Sequence, residues 1–355
     1  MAQAERSAPG RWASLSGNAS DRIRPHRAWV GGLASVGLVL LVSLLVWGPA
    51  MGFPTTVSTS EVATTGGGSI TLERSVREVA SRSIDDVVKG MTDAGSWLFD
   101  GISAAVDTVL VRIEDVLKWV PWPTVTIGIG LVAVAVGGWR LLAFTVSALL
   151  FIGFMDLWAN MIDTVALMVV AVAIAVLFGL PLGILGSRNQ LADNLMRPVL
   201  DAMQTMPSFV YLLPGILFFG LGKTAGIFAT IIYAIPPVIR LTNLGIRQVP
   251  SETIEAVRSF GASPFQTLMK VQIPMALPTI MAGINQTTLM ALAMVTIASM
   301  VAAGGLGDNV LRALQKNQPG NGAIAGLSIV FLAIIIDRLM QAVSRGQTDM
   351  QRSAG

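Results

Sequence analysis

Gly222-Lys223-Thr224, inside GILFFGLGKTAG (215–226), has the residue types of a phosphate cradle. A P-loop reads G-x-x-x-x-G-K-[ST] between a buried strand and a helix; backbone N–H groups and the lysine hold phosphates, and the hydroxyl holds magnesium. With Gly222 as the second glycine, the first must stand at position 217, which is Leu217, and Gly215 is two residues too far away. Other reactive types are scarcer still. There is no cysteine, which excludes disulfides and thiolate metal sites. His26 is the one histidine, in a polar, Arg-rich stretch. No catalytic residue and no metal ligand is expected.

Composition says what must position any functional group. Of 355 residues, 53% are hydrophobic and 13% charged, about half the ~25% charged share of a soluble domain. The expected class is an all-α, polytopic membrane protein with about eight transmembrane helices. Residues 28–50 carry no charge over a length that crosses a bilayer, and a retained span is preferred to a signal peptide. Further spans are expected near 122–139, 140–157, 162–186, 199–221, 224–244, 276–303 and 321–343. Short loops that keep Lys and Arg stay in the cytoplasm. Arg140, Arg188, Arg197, Arg247, Arg258 and Lys270 mark that side, while Asp156 and Asp163 mark the other. Lys223 then lies in a tight outer turn, where it snorkels, and the P-loop reading fails for want of a strand and of cytoplasmic nucleotide.

The expected organisation is a disordered cytoplasmic tail (1–27), a transmembrane helix (28–50), a linker and amphipathic extracytoplasmic helix (51–120), a transmembrane core (121–345) and a cytoplasmic tail (346–355). The linker is the Thr/Ser/Gly-rich stretch 51–70. In 73–118, apolar residues from Val76 to Val116 recur at helical spacing with acidic residues between them. That pattern predicts a helix, broken near Gly95, with its stripe on the bilayer surface or on the rest of the protein.

One cytoplasmic segment is too patterned for a connector: ETIEAVRSFGASPFQTLMKVQIP (252–274). Ser251 is expected to cap a helix with Glu252 and Glu255 in its first turn. The helix ends at Gly261, free to take φ > 0, and Ser263-Pro264 opens a second helix. The segment resembles the EAA loop of ABC importer permeases: E-A-A, three residues, Gly, nine residues, I-x-L-P. Here the match is Glu255-Ala256-Val257, Gly261 and Val271-x-Ile273-Pro274, with Val257, Val271 and Ile273 as conservative departures. DAMQTMPSFVYLLP (201–214), IPPVIRLTNLGIRQVP (235–250), LPTIMAGINQTTLMALAMVTIASMVAAGGLG (277–307) and IIIDRLMQAV (334–343) further resemble glycine betaine/proline betaine uptake permeases.

The resemblance covers roughly residues 120–345. It implies the permease subunit of an ATP-driven importer of quaternary-ammonium compatible solutes in a bacterial inner membrane. Implied partners are a second permease copy, two ATPase subunits and an extracytoplasmic binding protein, besides membrane lipid; no nucleic acid is expected. ATP and magnesium belong to the partner ATPase, and this chain binds no cofactor. Another small solute (choline, a sulfonium betaine or an amino acid) is the alternative cargo. A channel has no use for the EAA knob, and a secondary transporter needs mid-membrane coupling charges. Glu255, Ala256, Ser259, Phe260, Gly261 and Ala262 are the implied ATPase-coupling residues; Phe260 either anchors the partner or packs back on its own chain. Met203, Gln204, Thr205, Met206, Ser208, Phe209 and Tyr211 in one span, and Asn285, Gln286, Thr287 and Thr288 in another, are the candidates for a translocation pathway. Polar groups inside a membrane face the protein interior or a cavity.

Overall fold

The computed structural model describes residues 56–60 and 71–353, with side chains over 77–341. Residues 28–50, expected to span the membrane, and the tail 1–27 lie outside the described residues. Two compact units divide the chain at Val87/Val88. In the first, Thr56–Ser60 (β1) and Thr71–Ser75 (β2) pair antiparallel, Thr56 opposite Ser75 and Ser60 opposite Thr71. The expected linker thus holds a strand. Its β-branched Thr and Val suit an extended ladder.

Helix α1, Val76–Trp119, runs unbroken through Gly95, where a break was expected. A glycine inside a helix costs only about 1 kcal/mol, less than the helix gains from its neighbours. The second unit is helical: α2 (Trp122–Phe154), α3 (Trp158–Arg188), α4 (Gln190–Thr205), a short turn Ser208–Tyr211, α5 (Leu212–Phe219) and α6 (Lys223–Arg247). Then come α7 (Ser251–Ser259), α8 (Pro264–Thr267), α9 (Ile273–Ala298), α10 (Leu306–Gln315) and α11 (Pro319–Ser353). Helix α11 continues through most of the expected tail 346–355.

Helices α3, α6 and α9 form the centre, with α6 between the other two. Small residues permit the close approach that membrane helices use. A Cβ on Gly183 would meet the Ile239 carbonyl at 2.7 Å, and one on Gly283 the Pro237 carbonyl at 3.2 Å. Ala166, Ala229 and Ala291, all fully buried, line the same core.

Among the described residues six helices are long and apolar enough to cross a membrane, seven if α4 and α5 count as one bent span. Two expected boundaries change. The spans 122–139 and 140–157 are halves of one helical run that doubles back at Gly138 (φ +72°, ψ −169°). A Cβ on Gly130 would lie 3.0 Å from the Leu142 side chain, and Trp122 shares an apolar cavity with Gly153 and Phe154. A single positive-φ glycine makes this reversal without a loop. Each half is about 24 Å long, short of the ~30 Å hydrocarbon core. The expected span 199–221 is broken, its two parts bent by 113° at Met206-Pro207.

Helix α1 passes the same length and composition test, yet its contacts run across helix ends. Phe99 stacks on Phe218 at 4.7 Å and meets Phe219 edge-on. Asp107 accepts from the Thr224 hydroxyl at 2.6 Å, Glu114 pairs with Lys223 at 2.6 Å, and Lys118 pairs with Asp163 at 2.8 Å. Phe99 to Lys118 spans about 28 Å of helix, and every partner sits at the end of the bundle remote from Gly261. Leu110 is 1% exposed within the core cluster. The C-terminal half of α1 therefore lies over that end of the bundle and does not cross it.

Candidate functional site

The patterned cytoplasmic segment forms a projecting elbow. Helix α7 starts at Ser251 itself, so the capping position falls to Pro250 and not to Ser251 as expected. Pro250 has extended backbone and no side-chain acceptor, and Glu252 supplies first-turn charge. Gly261 takes φ +85° and donates its N–H to the Arg258 carbonyl at 2.9 Å, closing the helix. Ser263 and Gln266 then form a reciprocal capping box for α8. Glu255, Ala256 and Ser259 are exposed, and Ala262 is half-buried. The Ser259 hydroxyl is engaged, donating to the Glu255 carbonyl at 2.9 Å.

Phe260 is 93% exposed and Phe265 70% exposed. Packing of Phe260 back onto its own chain is thereby removed. Two large aromatic side chains are thus exposed together on the elbow.

The elbow is rooted in the core. A π-helical turn, Leu268–Gln272, joins α8 to α9. Leu268 packs with Ile246, Ala276 and Ile280, and Gln272 accepts from the Arg188 guanidinium at 3.2 Å. The turn after α8 is thus packed against α3, α6 and α9. That the second helix runs on into the next span is legible in the sequence; the Arg188–Gln272 contact is not, because its partners lie 84 positions apart.

The pathway candidates divide. Gln204, Thr205, Met206 and Phe209 are exposed at the break between α4 and the turn; Met203 and Ser208 are half-buried. Tyr211 is 4% exposed; its hydroxyl donates to the Met203 carbonyl at 2.5 Å, tying the two sides of the break together. On α9, Thr287 and Thr288 are buried in the helix core, and the Thr288 hydroxyl donates to the Ile284 carbonyl. Asn285 donates to the Asp337 carboxylate at 3.4 Å, so it faces α11. Gln286 is exposed. The first group straddles the break and the second lies along α9, and the Ser208–Tyr211 turn packs against α9.

A charged junction at the elbow end escaped the sequence reading. Asp193, 2% exposed, accepts from Arg197 at 2.6 Å, Asn243 at 2.7 Å and Arg247 at 3.2 Å. Arg247 also donates to the Gly186 carbonyl at 2.7 Å. Two turns further along α4, Asp201 pairs with Arg240. Lys223 and Thr224 form no phosphate cradle: both are committed to acidic residues of α1. Lys223 does not snorkel as expected, because the buried Glu114 carboxylate needs a counter-charge. Among the described residues no cluster of acidic and histidine side chains could hold a metal ion.

Residues 175–349 match the family model of the binding-protein-dependent transport system inner membrane component. The chain is 48% identical over 248 residues to the glycine betaine/proline betaine transport system permease protein ProW of Escherichia coli, covering 70% of each. It is 44% identical over 270 residues to the glycine betaine/carnitine transport permease protein GbuB of Listeria monocytogenes, covering 74% of this chain and 94% of that one. The chain belongs to this family of ABC importer permeases. The permease is accordingly a multi-pass inner-membrane transport subunit. Among solved structures, the inward-facing MetNI methionine ABC transporter is similar at 22% identity and a TM-score of 0.49, over 52% of the permease and 93% of that chain.

Proposed function

We propose that this permease carries quaternary-ammonium compatible solutes, such as glycine betaine or proline betaine, into the cell. It does so as a homodimer with two ATPase subunits and an extracytoplasmic binding protein. ATP and magnesium act on the ATPase; the permease contributes no chemistry to hydrolysis. The solute class rests on the names of the two relatives, at 48% and 44% identity. The observation that carries the coupling role is the elbow, with Phe260 and Phe265 exposed beside a glycine locked at φ +85°.

In this reading the ATPase dimer closes on ATP, and α7, seated on it through Glu255, Ala256, Ser259, Phe260, Gly261 and Ala262, moves with it. The rooted elbow then turns α6 and α9, and the bundle alternates between faces. The exposed residues at the α4 break, Gln204, Thr205, Met206 and Phe209, present polar, sulfur and aromatic groups to a passing cation; an aromatic face attracts a trimethylammonium group by about 0.5–2 kcal/mol. Met203, Ser208 and Tyr211 shape that break, and Asn285 and Gln286 supply the polar positions on α9. Thr287 and Thr288, being buried, support the helix. Within the second unit, the C-terminal half of α1 acts as an extracytoplasmic cover, and the helices from α2 onward as the transport core.

The test is reconstitution of the permease with its ATPase and binding protein in proteoliposomes holding ATP. Labelled glycine betaine should accumulate only when all three components are present. Accumulation without the ATPase, or none with the full set, would overturn the reading.

A further inference from the structure

Charges on α4 and α6 face one another in two layers. Asp193, Arg197 and Asp201 repeat at four-residue spacing on α4; Arg240, Asn243 and Arg247 share one face of α6. The layer nearer the elbow is closed: buried Asp193 is held by three donors, and Arg247 is spent on Asp193, Gly186, Asn243 and Gln190. The deeper layer is not. Arg240 and Asp201 share one contact, at 2.5 Å, and remain 38% and 65% exposed. The rest of the Arg240 fork and the second Asp201 oxygen have no partner among the described residues. Both border a cavity of about 330 Å³ that Asp193, Arg197, Asn243 and Arg247 of the closed layer also line, with apolar walls between. That is about ten times the ~30 Å³ share of one water molecule.

Depth makes the pair unusual. Arg240 lies two turns, about 10 Å, further from the elbow than Arg247, and Asp201 stands one turn before the break at Met206-Pro207. Charges at such depth face a cavity or the protein interior, and Asp201 lies on the same helix as Gln204 and Thr205, within the last turns before the break.

We propose that the Asp201–Arg240 pair is a gate for zwitterions at the cytoplasmic side of the path. The proposal rests on the solute class argued above. An ion pair and a zwitterion are electrostatic counterparts. As the solute passes, its carboxylate takes the Arg240 fork, a geometry suited to bidentate binding, and its cationic head faces Asp201. Charge stays balanced at every moment. A neutral solute that parts the pair leaves two unmatched charges, and a simple cation leaves Arg240 unmatched; water reaches both side chains, so the cost is modest, about 1 kcal/mol. With no solute present, the pair closes on itself and seals the path.

The experiment uses the reconstituted complex and reads glycine betaine transported per ATP hydrolysed, a ratio independent of yield. Arg240→Gln and Asp201→Asn should each lower the ratio about tenfold, the loss expected when one charged contact goes. Hydrolysis stimulated by the loaded binding protein should stay within about twofold of wild type. Should a single variant fail to assemble, the double variant Asp201→Asn/Arg240→Gln, which leaves no unpaired charge, is read in its place. An unchanged ratio overturns the gate. So does failure of the double variant to assemble, which makes the pair a structural clamp. No uptake by the wild-type complex strikes the solute class and not the gate.

Discussion

Gly261 is held at φ +85° with open space where a Cβ would project, so the demand is the backbone's own. A β-branched residue there costs roughly 1–3 kcal/mol and tilts the elbow. Gly261→Val should insert in the membrane normally and lose about tenfold or more in uptake and in co-purification with the ATPase. Normal uptake by the inserted variant would remove the elbow from coupling. Phe260→Ala should leave thermal stability within about 0.5 kcal/mol of wild type, because an exposed ring holds nothing within its own chain. Its loss should appear in ATPase co-purification, and an unchanged yield of complex would show that the ring is no anchor. The elbow's geometry was legible in the sequence because Gly261 and Pro264 constrain the backbone by type alone. Asp193 was not: its partners Asn243 and Arg247 lie on another helix, 50 and 54 positions away. The Tyr211 staple was equally hidden, since its partner is a backbone carbonyl.

At the scale of elements, the tight turn before α6 matters more than its motif-like sequence suggested. Gly220 and Gly222 both take positive φ there, at 71° and 147°, which brings Lys223 and Thr224 under α1. The polarity of 73–118 showed an amphipathic helix; which side chains it would meet depended on helix ends distant in sequence. Removing the Lys223 ammonium takes the nearer counter-charge from the Glu114 carboxylate, itself 7% exposed, and leaves it only Lys118 at 3.6 Å. Lys223 remains about one-third exposed, so water relieves part of the penalty. Lys223→Ala should therefore destabilise the permease by about 1–3 kcal/mol, seen as a lower melting temperature in detergent and a lower yield of complex. Transport per assembled complex should be kept, and the isolated permease should bind no ATP. ATP binding that this variant abolished would restore the phosphate-cradle reading. Lys223→Arg keeps the charge and should recover most of the stability.

For the molecule as a whole, the apolar pattern along the chain foretold most of the bundle, because burial in lipid and in helix contacts selects the same residue types. It could not foretell that 122–154 doubles back or that α4 and α5 part at 113°, since hydropathy records length and not direction. The bundle carries the elbow at one end and the C-terminal half of α1 at the other. Four points on α1, at Phe99, Asp107, Glu114 and Lys118, fix it across the bundle. Neither the break at Met206-Pro207 nor the Asp201–Arg240 pair contacts it. The segment should then govern assembly, not solute choice. Deleting 73–118 takes Leu110 out of the core cluster and leaves Lys223 and Asp163 without their partners. The yield of intact complex should fall about tenfold, as expected for a loss of a few kcal/mol in a marginally stable protein. The complex that remains should rank glycine betaine, proline betaine and choline in the wild-type order in competition uptake assays. A changed order at unchanged yield would place the segment in the path itself.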